Sequence, residues 1–231
     1  MTEAAEADRA DAGAARIRLW DWPVRLVHWS FALLIPAMWW TAEEGMMERH
    51  SQLGMLLLVL LVFRLLWGLV GSESARFASF VKGPAAVIAY MRGQGAAKPG
   101  HSPLGALSVV ALLTLLAVQI GLGLFAQDVD ALFSGPLNHL VSYETGDAAR
   151  EWHEASFNLL AALIAVHLAA IAFYHFVRRD NLVGPMVTGL RTVPPGTRAP
   201  APGSALAALL CLAIAVGVGW WIWSGAPTLG G

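Results

Sequence analysis

Apolar residues dominate five long stretches of the chain, near positions 24–42, 51–70, 103–125, 151–179 and 205–223. About 20 such residues, at ~1.5 Å rise each, cross a hydrocarbon core of ~30 Å. The pattern therefore predicts five membrane-spanning helices, the first of them kinked at Pro36. The segments between them are polar or rich in Gly and Pro. Residues 71–102 carry Gly71, Gly83, Pro84, Gly93, Gly95, Pro99 and Gly100, with a short surface helix expected near 85–91. The connection 126–150 is long for a membrane loop; a short helix is expected within ALFSGPLNHLV, and Thr145-Gly146-Asp147 is expected to end any helix there. Residues 1–19 are Ala-rich and mixed in charge, which predicts a disordered or loosely helical tail.

Histidines punctuate this apolar background. The fourth stretch, EWHEASFNLLAALIAVHLAAIAFYHFVRR, holds His153 and His167, fourteen positions apart. Fourteen steps of ~100° come within ~40° of whole turns, so both rings leave one helix face about 21 Å apart. Ionisable groups at such depths are costly and point to function. Metal–nitrogen bonds of about 2 Å prevent the two from closing one metal site. Each can instead give one axial ligand to one of two stacked haems, which then need two partner histidines.

Composition sharpens the class. Only 13% of the 231 residues are charged and 57% are hydrophobic, against about 25% charged in soluble domains. An integral membrane protein follows, and the net charge of −1 gives no reason to invoke nucleic acid. Cys211 is the single cysteine, so no internal disulfide and no C-x-x-C-H haem attachment can form; any haem is held non-covalently. The first apolar run has no A-x-A site after it, so no cleavable signal is expected. Trp20, Trp22 and Trp29 before and within the first stretch, and Trp220, Trp221 and Trp223 at the end of the fifth, form interfacial belts.

Charge sets the orientation. Of the fifteen Lys and Arg residues, twelve fall in the N-terminal segment through Arg25, in 71–102 and in 178–204. The other two connections carry only Arg49 and Arg150, and Arg64 lies within the second stretch. The positive-inside rule makes the N-terminus cytoplasmic and, after five spans, the C-terminus periplasmic. His28 then lies near the inner surface and His50 near the outer one, while the fourth span places His153 outside and His167 inside. Depth allows two pairs, His28 with His167 and His50 with His153. His101 and His175 at the inner interface and His139 in the outer loop are expected in surface or supporting roles.

Two further residues bear on a cofactor. Arg64 can either snorkel to the interface or meet a haem propionate with its bidentate guanidinium. Gly54, one turn after His50, either lets a flat ligand approach the backbone or permits close helix packing.

The segments RLWDWPVRLVHW, RHSQLG, HSPLGALSV, EWHEASFNLL with its second histidine fourteen on, and DNLVGPMVTG together resemble the prokaryotic cytochrome b561 family, which includes the b subunits of nickel-iron hydrogenases. The resemblance covers roughly 17–190. It implies an all-α integral membrane protein, a four-helix transmembrane di-haem bundle with a fifth C-terminal transmembrane helix outside the family pattern. The chain then divides into a tail (1–19), the di-haem domain (20–190), a Pro-rich linker (191–204) and the fifth helix with a short tail (205–231). His28, His50, His153 and His167 stand where the family has its axial ligands to two haem b groups.

The function implied is one-electron transfer in the inner membrane of a bacterial respiratory chain, between quinone and a periplasmic c-type cytochrome or redox enzyme. Family members also include superoxide:quinone oxidoreductases and hydrogenase cytochromes. Bis-histidine ligation leaves no open iron position for oxygen chemistry. His101, Gln119 and Arg64 are candidates for a quinone site. A metal-ion transporter is the non-redox rival; it lacks the acidic residues such pathways carry within their spans, Glu154 at an outer end excepted.

Overall fold

A computed structural model describes residues 15–94, 100–128 and 132–227; Asp130 and most of the N-terminal tail lie outside them. The chain begins with a short strand, β1 (Ala15–Arg18), and enters α1 (Trp22–Glu43). Asp21 caps that helix by accepting from the Val24 amide at 2.8 Å, and Pro23 fills its first turn, where no amide donor is needed. Gly45, at φ +65°, turns the chain into α2 (Met47–Val70). Two short helices follow, α3 (Phe77–Phe80) and α4 (Pro84–Met91).

Ser102 and Pro103 start α5 (Pro103–Phe125) in the same way as Asp21 and Pro23 start α1. A 3-10 turn at Asn138–Leu140 leads into α6 (Tyr143–Phe176), capped by Ser142. The chain closes with α7 (Val183–Thr188), strand β2 (Leu190–Val193) and α8 (Ala205–Trp223).

Helices α2, α5, α6 and α8 are long and apolar enough to cross a membrane. Helix α1 has 22 residues, but Arg25, His28, Thr41 and four tryptophans make it less apolar. The tightest helix contacts are α5 with α6, α2 with α8, and α1 with α2. One core runs through the middle, from Leu57 and Leu61 of α2 to Leu116 of α5 and Leu160 of α6. A second joins Val24 and Val27 of α1, Phe63 and Trp67 of α2, and Cys211 and Ala215 of α8.

Three expectations are corrected. The tail is not wholly irregular, and the fold is not purely helical. Ala15–Arg18 pairs antiparallel with Leu190–Val193, Arg16 opposite Thr192, so the ribbon also takes up the start of the presumed linker. The ribbon is tied to α1: the amides of Leu19 and Trp20 donate to the Gly189 carbonyl, and the Arg25 guanidinium and Trp29 indole donate to carbonyls of Met186 and Val187. Third, Thr145-Gly146-Asp147 breaks nothing, because α6 runs through it for 34 residues. A Cβ at Gly146 would lie 2.5 Å from Asn138 Nδ2 and 3.2 Å from Gln127 Cβ. That glycine serves close packing rather than a turn.

Candidate functional site

Four histidines from three helices meet in two pairs. The rings of His50 (α2) and His153 (α6) have centres 6.1 Å apart, and those of His28 (α1) and His167 (α6) 6.5 Å apart. Two imidazoles bound to one iron through bonds of about 2 Å have ring centres roughly 6 Å apart, so both pairs have the separation that fits an axial pair.

The pair of His50 and His153 is held by main-chain carbonyls. His50 Nδ1 donates to the Met38 carbonyl of α1 at 3.0 Å. Thr41, buried beside it, lies 2.9 Å from the same carbonyl through its hydroxyl. His153 Nδ1 donates to the Gln119 carbonyl of α5 at 2.9 Å. Each ring thereby has its proton on Nδ1 and keeps the Nε2 lone pair for a ligand bond, as in metal-bound histidines generally. The Gln119 side-chain amide donates to His153 Nε2 at 3.1 Å, and its oxygen accepts from Ser156. Gly123 completes the seat, since a Cβ there would stand 2.9 Å from His153 Cε1.

At the other end, His28 Nδ1 is buried and has no hydrogen-bond partner among the described residues. Its ring meets Trp29 edge-on at 5.2 Å. A buried imidazole nitrogen without a partner is expensive unless a ligand takes it. The ring spacing of both pairs fits an iron-bound group, and the His50–His153 pair is also held in prepared tautomers.

Arg64 does not reach the surface. It is 6% exposed, its Nη1 donates to the Ala75 carbonyl at 3.4 Å, and its guanidinium lies 5.0 Å from the Phe77 ring centre. No carboxylate within 4.0 Å pairs with it among the described residues. Beside it stands His101, between Phe80 at 4.3 Å and Trp20 at 4.6 Å. Burial, reinforced by the positive charge of Arg64, pushes the His101 pKa down to about 4. Gly54 meets the Met38 methyl group, to which a Cβ would come within 3.4 Å, so the close-packing reading has a partner in the structure. His175 lies edge-on to Phe176 at 4.8 Å. His139 sits in the 3-10 turn, where a Cβ on Gly225 would come within 3.4 Å of its ring.

Of the three quinone candidates, Gln119 belongs to the His153 seat, while His101 and Arg64 adjoin each other at the opposite end. The carbonyls of Met38 and Gln119, with Thr41, Ser156 and Gly123, were missed from the sequence. A main-chain carbonyl has no sequence signature. Among the described residues no group of three or more His, Cys, Asp or Glu side chains could hold a metal ion.

A helical membrane protein with histidines paired across its helices is thus defined. The chain matches the family model of prokaryotic cytochrome b561 over residues 19–189 and belongs to that family. It is a b-type membrane cytochrome of electron transfer, and its family binds haem b. No curated protein and no solved structure matches it.

Proposed function

We propose that the chain carries electrons through two haem b groups, one held by His28 and His167 and the other by His50 and His153. The observation that carries this reading is the ring spacing of the two pairs, 6.5 and 6.1 Å. Haem held by these histidines would supply reversible one-electron iron chemistry. The chain does the rest. Met38 and Gln119 hold the tautomers of His50 and His153, and ligation at His153 takes Nε2 over from the Gln119 amide. The buried guanidinium of Arg64 is the group offered to a propionate, and the apolar core excludes water between the two sites.

Helix α1 is the fifth span in this reading, and the ribbon supports it. Strands β1 and β2 are hydrogen-bonded, so they lie on one side of the membrane. Between them α2, α5 and α6 make three crossings, which would leave the strands about 30 Å apart. A fourth crossing is required, and α1 has 22 residues for it. The basic N-terminal segment and the linker share that side, which makes it cytoplasmic by the positive-inside rule. Helix α8 then takes the C-terminus to the periplasm of a bacterial inner membrane.

The two ends serve different partners, lipid-soluble quinone and a periplasmic redox protein such as a c-type cytochrome. Glu43, Glu44, Glu48, Asp128, Asp130, Glu144, Asp147, Glu151 and Glu154 make the outer side acidic. Such a field steers a basic carrier into a brief encounter.

Acid-acetone extraction and visible spectra of the purified protein test the haem count. Two haems per chain are expected, and each of His28→Ala, His50→Ala, His153→Ala and His167→Ala should lose one or leave it five-coordinate. One haem per wild-type chain, or an unchanged spectrum in any of the four, sinks the pairing.

A further inference from the structure

The C-terminal helix lies outside the part matched by the family model, which ends at 189. Helices α1 and α8 both pack on α2, and between them lies a cavity of about 460 Å³ that β1 also lines. That volume is within the range of small-molecule sites. We infer that the cavity seats the phosphate and glycerol of an anionic phospholipid, whose acyl chains leave between α1 and α8.

Hydrogen bonds fix the walls. The Trp67 indole donates to Asp21 Oδ2 at 2.8 Å, while Asp21 Oδ1 caps α1 through the Val24 amide. The linker before α8 is pinned at Ala201, whose amide donates to Glu73 Oε2 at 2.9 Å and whose carbonyl accepts from the Glu73 amide at 3.0 Å. Gly203 lets that linker lie against Trp67, because a Cβ there would stand 2.5 Å from the indole ring.

Charge selects the occupant. Arg18 and Asp21 are the charged residues on the lining. Asp21 already accepts at both oxygens, and the buried positive charge of Arg64 also acts on it. Arg18 is exposed and has no ion-pair partner among the described residues. The charge left for a ligand is therefore positive. Neutral donors stand with it: the hydroxyls of Ser72 and Ser74 lie 3.3 Å apart on the lining. Ser204 caps α8 by accepting from the Ala207 amide, while the amide of Ala205, a lining residue, has no partner among the described residues. A guanidinium, hydroxyls and a free amide at a helix N-terminus together match a phosphate.

The rest of the lining is apolar and reaches the bilayer. Trp22 and Leu26 of α1, and Leu209 and Leu212 of α8, line the cavity and are exposed by 61%, 56%, 64% and 46%. The opening thus faces lipid between the two helices, with the basic end at the headgroup level beside the ribbon. A phospholipid seated there ties α8 to α1 and β1, which its contacts with α2 alone do not do.

The test reconstitutes the full chain in nanodiscs of equal phosphatidylglycerol and phosphatidylethanolamine, releases it into mild detergent and weighs it intact by native mass spectrometry. One phosphatidylglycerol per chain should be retained, favoured over phosphatidylethanolamine by about fivefold or more. Arg18→Gln should reduce that preference several-fold. Arg16→Gln, on the same strand but outside the lining, should match wild type. Ala208→Trp, which fills the cavity from α8, should abolish retention, whereas Leu206→Trp, outside the lining, should not. Circular dichroism checks that each variant folds; if Ala208→Trp does not, Arg18→Gln and Ser74→Ala, which add no bulk, decide. Equal losses in Arg16→Gln and Arg18→Gln would assign the effect to diffuse surface charge and overturn the site. So would unchanged retention in the cavity variants, retention of phosphatidylethanolamine or an uncharged lipid in preference, or no retained lipid at all.

Discussion

His50 and Met38 lie on successive helices, and the Nδ1 of one is 3.0 Å from the carbonyl oxygen of the other. The tight turn at Gly45 brings them together. His153 repeats the arrangement with the Gln119 carbonyl at 2.9 Å, across the α5–α6 contact. His50 and His153 are therefore oriented by neighbouring backbones, which no side-chain substitution removes directly.

Gln119 adds something the backbone does not, a donor on His153 Nε2 at 3.1 Å. That bond competes with a ligand bond at the same atom. Gln119→Leu should remove the competition and slow haem loss from this site, by about fivefold if the net hydrogen bond is worth ~1 kcal/mol. Haem transfer to excess apomyoglobin measures it. Faster loss from the variant would mean that the amide supports the bound haem.

The site was only partly legible in the sequence. The apolar runs gave α5 and α8 their observed bounds, where Ser102 and Ser204 cap the helices, and fourteen-residue spacing picked out His153 and His167 on α6. Gly146 misled because glycine usually ends helices, whereas here Asn138 and Gln127 occupy the space a side chain would need. The ribbon was hidden because two four-residue strands, Ala15–Arg18 and Leu190–Val193, are too short to show a period. Their pairing depends on α1 to α6 bringing them together.

Arg64 is a buried cation with one weak backbone bond, at 3.4 Å, and no carboxylate among its described ion-pair partners. Arg64→Leu should lower the midpoint potential of the inner haem, because a nearby positive charge favours the reduced, less positive iron. The outer haem should hardly change. Arg64→Lys should keep much of the charge effect but lose the bidentate fork. Potentiometric titration with separate α-band fits reads this, and equal midpoints in wild type and Arg64→Leu would refute the role.

His101 should make the protein sensitive to acid. Its pKa falls to about 4 in the fold through burial and then through Arg64, against about 6.5 in an unfolded chain. The unfolded state thus binds more protons between these values, so stability is full above about pH 6.5 and declines as pH falls toward 4. Trp20, Phe80 and Arg64 are the groups around the ring, and none can accept its proton. His101→Gln should flatten the dependence of the thermal midpoint on pH across that window. An equally steep profile in the variant would assign the effect elsewhere.

The outer face provides the last test. Arg150 donates to Asp147 at 2.9 Å and to Glu154 at 2.8 Å, so two of the outer acids are already screened. Glu43 and Glu44 lie at the C-terminal end of α1 and Glu151 lies within α6, two residues before His153; all three are exposed. A long-range field from such groups falls off over about 8–10 Å at physiological salt, which makes steering strongly salt-dependent. Oxidation of the reduced protein by a basic cytochrome c, followed by stopped flow, should slow several-fold from low to physiological ionic strength. The combined Glu43→Gln, Glu44→Gln and Glu151→Gln variant should lose rate at low salt and converge with wild type at high salt. The haem spectra should stay unchanged, because none of the three side chains touches either histidine pair. A rate indifferent to salt would mean that the outer partner is not a charged protein and that the acidic face only reflects the positive-inside bias.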